Sequence, residues 1–150
     1  MIMKAVKAQA IVDEALTWVR TPFVHQGRIK GVGVDCVNFI AEVARATGAT
    51  PDVDFERNYR RTEDGQQLLK ELIHYLEPVE SLEDIKPADI LAFHDGFDHD
   101  TNRHLAFVTQ LTPYVKIVHA SKRGVVCHRL DAHFRSLVSS VWRRPGLVYD

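Results

Sequence analysis

Apolar residues recur at three- and four-residue steps near the start of the chain: Ala5, Ala8, Val12, Ala15, Leu16 and Val19. That is the period of a helix with one buried face. Thr21-Pro22 ends it, because a residue before proline is pushed out of helical backbone. Residues 24–35, VHQGRIKGVGVD, carry three glycines and read as a loop. Val37, Ile40, Val43 and Ala44 set a second helical stripe, with Gly48 placed as its C-terminal cap. Residues 49–65 are polar and aromatic without a period. Leu68, Leu69, Leu72, Ile73 and Leu76 predict a third helix, stopped at Glu77-Pro78.

After Pro87 the pattern changes to short runs rich in β-branched and aromatic residues. Strands are expected at about 89–93, 104–111, 114–120, 124–129 and 137–143, separated by turn chemistry. Helices followed by a run of mostly antiparallel strands make an α+β architecture, with helices on one face of a sheet. No repeat, low-complexity tract or linker divides the chain, so residues 1–150 are expected to form a single domain.

Composition narrows the classes of function. With 45% apolar and 26% charged residues the chain has an ordinary globular mix. Nineteen Lys and Arg against twenty Asp and Glu leave a formal charge of −1. A protein that grips nucleic acid by its phosphates is usually basic or carries a basic stripe. Here Arg60-Arg61 and Arg143-Arg144 are isolated pairs, and no nucleic-acid partner is expected. Nor is a membrane partner, since no apolar run reaches the ~18 residues that span a bilayer. Asp13 and Glu14 fall where a signal peptide would be apolar, so synthesis in the cytoplasm without an export signal is expected.

Cys36 and Cys127 are too few and too far apart for a disulfide scaffold. Eight histidines make Cys-plus-His the first chemistry to test. Asp35 suits an N-cap, which places Cys36 in the first turn of the second helix. The positive end of a helix favours a thiolate, and its N–H groups can hold an oxyanion. The alternative is a small buried hydrophobe. A nucleophile needs a base and the base an orienting partner. Within HLAFVTQLTPYVKIVHAS, a turn centred on Thr112-Pro113 sets Ala106 opposite His119. His104 then becomes His119's diagonal neighbour, at the roughly 7–8 Å of such pairs. A slip of one residue would send the two histidines to opposite faces. Histidines also fill half-buried strand positions without any task.

TWVRTPFVHQGRIKGVGVDCVNFIAEVARATG resembles the catalytic helix region of the NlpC family of papain-like cysteine peptidases. The branch it looks most like is the one found in phage tail and gene-transfer-agent gene clusters. PADILAFH, RHLAFVT and IVHAS follow in the family's order, so the resemblance runs from about Ala15 to Trp142. It implies a papain-like NlpC fold, with N-terminal helices on a mostly antiparallel five- to six-stranded sheet. It also implies that Cys36 is the nucleophile, His104 the general base and His119 the orienter. The implied substrates are peptidoglycan stem peptides, cut at bonds such as D-glutamyl–diamino acid, with no metal or organic cofactor. Phe23, His25, Asp35 and Asn38 are expected to line the substrate cleft. Other phage-tail proteins are the implied partners, and carriage in a virion-like tail or release on lysis is the implied route to the wall.

Three positions depart from the family's pattern. Phe23 stands where the family has tyrosine, whose hydroxyl lies near the nucleophile. Asn38 replaces a small residue, and its side chain is expected to narrow the cleft. Ala88 replaces a frequent glycine before Asp89. The first two leave room for a non-catalytic tail-assembly or wall-binding module that keeps the fold. A thiol acyltransferase would use the same nucleophile geometry. The segment His94, Asp95, Asp98, His99 and Asp100 is either a divalent-metal cluster or a solvated loop. Arg57, Tyr59, Arg60 and Arg61 either bind stem-peptide carboxylates or form an ordinary connection. Cys127 reads as core, and Trp18 and Trp142 as core or cleft-edge aromatics.

Overall fold

The computed structural model describes residues 4–49, 70, 73–94 and 104–149. In chain order its elements are β1 (Val6–Lys7), α1 (Ala8–Leu16), β2 (Arg28–Ile29), β3 (Gly33–Val34), α2 (Cys36–Ala46), β4 (Glu77–Val79), β5 (Ile90–Phe93), β6 (His104–Gln110), β7 (Lys116–Ser121), β8 (Gly124–Arg129), α3 (Ala132–Ser136), β9 (Val138–Arg143) and β10 (Leu147–Val148). Six of the strands form one sheet in the order β4-β9-β5-β6-β7-β8. Every neighbouring pair in it is antiparallel.

Side chains alternate between the faces of a strand, so each strand feeds two cores. Ile90, Ala92, Leu105, Phe107, Val118, Ala120 and Val125 pack with the apolar stripes of α1 and α2. Phe39 of α2 stands edge-on to Trp18 at 6.0 Å and to Phe107 at 5.9 Å, tying helix to sheet. Leu91, Phe93, Ala106, Val108, Ile117 and Val141 face the other way and are covered by Phe134 and Leu137. Burial of each such large side chain stabilises the fold by roughly 1.5–3 kcal/mol. The α+β architecture is the one expected, but α3 lies across the sheet from α1 and α2. Its five residues are too short for periodicity to find. Its start is held by Asp131, whose Oδ1 accepts from the Phe134 N–H at 2.9 Å.

Strands β5 to β9 fall within two residues of their expected bounds, and Gly48 follows α2 with φ +73° as a capping glycine should. Other boundaries differ. The first helix starts at Ala8, not Ala5, because Val6–Lys7 pair in parallel with Leu147–Val148. The segment read as a loop contains the β2–β3 hairpin. Its glycines serve that hairpin. Gly31 turns it at φ +78°, and a Cβ on Gly33 would lie 2.5 Å from Val24 Cγ2. The expected third helix lies largely outside the described residues. From Ile73 a last turn leads into β4, where Pro78 sits in an edge strand, the place in a sheet that tolerates a missing N–H. No helix among the described residues is long and apolar enough to cross a membrane.

The start of β5 is fastened by charge. Asp89 is fully buried; Arg143 donates from Nε to its Oδ1 and from Nη2 to its Oδ2, each at 2.8 Å. The Lys86 N–H adds a third bond at 2.8 Å. Ala88, in the glycine-favouring position, holds φ +73° just before it, which explains why glycine suits the site. Arg143→Met would strand a buried carboxylate. The expected cost is about 2 kcal/mol, below the range for a wholly buried pair because Arg143 is partly exposed. Urea denaturation of the two proteins at pH 7 measures it, and an unchanged midpoint would refute it.

Candidate active site

The start of α2 is built by Asp35. Its backbone is extended (φ −104°, ψ 176°), and its Oδ1 accepts from the Asn38 N–H at 2.8 Å. Its Oδ2 accepts from the Gln26 N–H at 2.9 Å, so one buried carboxylate clamps the loop before the hairpin onto the helix end. Cys36 is the first residue of the helix and is half-buried against the α1/α2 core. Both carboxylate oxygens are committed to backbone N–H groups. Asp35→Ala frees two donors in a buried setting and is expected to lower stability by about 2 kcal/mol. Asp35→Asn, which keeps one acceptor, should recover part of that loss. Thermal melts of the three proteins compare them; equal melting temperatures for parent and Asp35→Ala would contradict the clamp.

α2 packs directly on β6 and β7. In that pair Phe107 faces Val118 and Val108 faces Ile117, a register that continues to set Ala106 opposite His119. It is the register a turn at Thr112-Pro113 demands, and the one irregularity lies nearer the turn, between Val108 and Gln110. His104 and His119 are therefore diagonal neighbours on the sheet face turned away from α1 and α2. Their rings stand edge-on with His104 Nε2 2.6 Å from His119 Nδ1. His104 opens β6, so its ring sits at the end of the sheet, not midway across it. Burial, and then His128, pushes His104 down to about 4. Burial, and then His104 and His128, pushes His119 down to about 3. Both imidazoles are neutral at pH 7.

A third ring extends the pair, and the sequence reading gave it no role. His119 faces Val126 across β7 and β8, which makes His128 the next diagonal neighbour. His119 Nε2 lies 2.7 Å from His128 Nε2, and His128 Nδ1 lies 2.8 Å from the Arg129 carbonyl oxygen. Phe134 of α3 packs on His119 and His128. The diagonal rule that pairs His104 with His119 finds His128 once it is applied to the next strand. These contacts run ring to ring in a row, so three nitrogens do not converge on one point. Among the described residues no group of three or more His, Cys, Asp or Glu is arranged to hold a metal ion.

The remaining expected site residues separate. Phe23 is 37% exposed and bridges to Val34 beside the hairpin. His25 is half-buried in the turn before it. Asp35 and Asn38 are buried at the start of α2, Asn38 completely. His94 is buried just after β5, with its N–H on the Leu137 carbonyl at 3.0 Å. Asp95, Asp98, His99 and Asp100 lie outside the described residues, as do Arg57, Tyr59, Arg60 and Arg61. Cys127 is a free thiol packed on the α1/α2 core, and Trp18 is buried there. Trp142 packs on the same core and donates from Nε1 to Ser140 Oγ at 2.9 Å.

No protein-family model and no curated protein sequence matches the chain. Solved structures do. A lipoprotein-like protein of the NLP/P60 family from Staphylococcus aureus subsp. aureus Mu50 aligns with 96% of this chain and 45% of its own, at 18% identity and TM-score 0.64. An NlpC/P60 family protein from Bacillus cereus ATCC 10987 aligns with 95% of this chain and 41% of its own, at 16% identity and TM-score 0.68. The NlpC/p60 domain of the peptidoglycan hydrolase SagA aligns with 92% of this chain and 98% of its own, at 19% identity and TM-score 0.61. The chain thus spans less than half the length of the first two and nearly all of the third. At these identities the likeness shows the fold: α+β, of the NlpC/P60 type.

Proposed function

We propose that this protein is a cysteine peptidase of the NlpC type that hydrolyses amide bonds in peptidoglycan stem peptides. One observation carries the reading: the 2.6 Å contact between His104 and His119 at the end of a sheet on which the Cys36 helix packs. The shared fold with a domain of a peptidoglycan hydrolase supports the substrate class. With His104 Nε2 committed to His119, Nδ1 is the nitrogen left for the thiol. His104 takes the Sγ proton, and the sulfur attacks the scissile carbonyl carbon. The N–H groups opening α2 stabilise the oxyanion. As the C–N bond breaks, His104 returns the proton to the leaving amine and a thioester remains. Water, deprotonated by His104, attacks the thioester, releasing a carboxylic acid and restoring the thiol. Among stem-peptide bonds, D-glutamyl–diamino acid is the one proposed for cleavage.

The resemblance to the phage-tail and gene-transfer-agent branch adds a setting in which a tail carries the protein to the wall. The test is incubation with muropeptides of each major chemotype, with mass spectrometry of the products. A new free amine on the diamino acid is the expected result. No product from any chemotype would overturn the peptidase and favour the wall-binding or tail-assembly reading, for which exposed Phe23, lacking a hydroxyl, is the supporting observation. Transfer of the acyl group to an added amine instead of water would assign an acyltransferase.

A further inference from the structure

We infer that His128 is a positioning residue which, through His119, sets the tautomer of His104 and leaves Nδ1 of that ring bare. The inference rests on the reading of His104 as the base of a cysteine nucleophile. A carbonyl oxygen can only accept, so in a His128 ring that carries a single proton the 2.8 Å contact with Arg129 requires that proton to sit on Nδ1. Its Nε2 is then an acceptor. The 2.7 Å contact therefore takes a proton from His119 Nε2, which leaves His119 Nδ1 as an acceptor. The 2.6 Å contact in turn takes a proton from His104 Nε2. Each neutral imidazole has one N–H, so the last nitrogen in the row, His104 Nδ1, carries a lone pair. One backbone carbonyl at the edge of the sheet thus orients three rings, and the only nitrogen left unprotonated and unpaired within the row is the one a thiol must meet.

The arrangement depends on His128 keeping its place. Phe134 holds the ring from α3 at a centroid distance of 4.8 Å. Among the described residues, the charged and titratable groups around it are His119 and His104 along the row, Arg129, whose guanidinium lies over Tyr114 at 4.8 Å, and His133 beyond Phe134. Without an acceptor at position 128, His119 is free to carry its proton on Nδ1. His104 Nε2 must then accept, and its proton moves to Nδ1, the form that cannot take a proton from the thiol.

Two measurements decide the matter, and neither needs the natural substrate. In Cys36→Ala protein labelled with nitrogen-15 histidine, no thiol proton can reach the ring. Nitrogen chemical shifts at neutral pH are expected to show bare Nδ1 on His104 and His119 and protonated Nδ1 on His128. A protonated Nδ1 on His104 would overturn the inference. In protein with Cys36 intact, alkylation by iodoacetamide across pH, located by peptide mass mapping to separate Cys36 from Cys127, reports thiolate formation. His128→Leu is expected to slow Cys36 at neutral pH by about tenfold, the weight of one net hydrogen bond in an equilibrium. His128→Gln keeps an acceptor and should stay within about twofold of the parent. An alkylation profile for His128→Leu that matches the parent would also overturn the inference. Should His128→Leu fail to fold, the labelled Cys36→Ala protein still decides. An ordinary-thiol profile for Cys36 in the parent protein would sink the peptidase reading instead, while the nitrogen shifts judge the histidine row separately.

Discussion

Cys36→Ala protein is expected to release no free amine from muropeptides, a loss of at least about 10⁴-fold, because covalent catalysis fails outright without its nucleophile. The substitution is mild for the fold. Cys36 is half-buried at the first position of α2, and alanine is the best helix former. Its stability should therefore stay within about 1 kcal/mol of the parent, which a denaturation curve verifies. Cys127→Ala is the matching control. That thiol packs on the core within β8, with the Thr109 hydroxyl 3.9 Å from its sulfur. It should cleave at the parental rate. Product formation by Cys36→Ala, or its loss in Cys127→Ala, would remove Cys36 from the proposed role.

The protein should lose several kcal/mol of stability as pH falls from about 6.5 to about 4. His104 and His119 are held neutral in the fold, pushed down to about 4 and about 3, chiefly by burial. In the unfolded chain both would titrate near the ordinary histidine value of about 6.5. Between those limits the unfolded chain binds protons that the native state does not, so stability declines as pH drops. Above about 6.5 neither state is protonated and the effect vanishes. At about 1.4 kcal/mol per pH unit for each proton, His104 alone accounts for about 3 kcal/mol, and His119 adds to it. Carboxylates act mainly below this window, so the two effects can be told apart. Urea denaturation at intervals from pH 7.5 to 4 measures the slope. His119→Asn, with one ring removed, should flatten it. Constant stability across the window in the parent would refute the neutral rings.

Much of this architecture was legible because it is written in local pattern. The alternation in 104–110 and 116–121, with Thr112-Pro113 between them, leaves one register that buries Ala106, Val108 and Ile117 together. That register alone makes His104 and His119 diagonal neighbours. Asp35 before a helical stripe is a capping signal, and it marks Cys36 as the first helical residue. The β2–β3 hairpin was harder to see, since its strands are two residues long and Gly33 is required by Val24, a neighbour across the turn. The role of Ala88 was hidden for a similar reason, as its positive φ is visible only in the folded chain, just before the Asp89–Arg143 clamp.

By itself the sequence determined the α+β class, the strands that carry the histidines, the register between them and the helix end that carries the cysteine. These follow from periodicity, turn residues and capping, all of which act over a few neighbouring residues. Only the tertiary structure decided that α3 closes the second face and that β1 pairs with β10 from the far end of the chain. The tertiary fold also decided that His128 continues the row to the Arg129 carbonyl. Those features depend on which strand lies beside which, and on which nitrogen of a ring meets which partner. A period of two gives the face of a side chain, but only the packed sheet brings three imidazoles within 2.7 Å of one another in sequence along it.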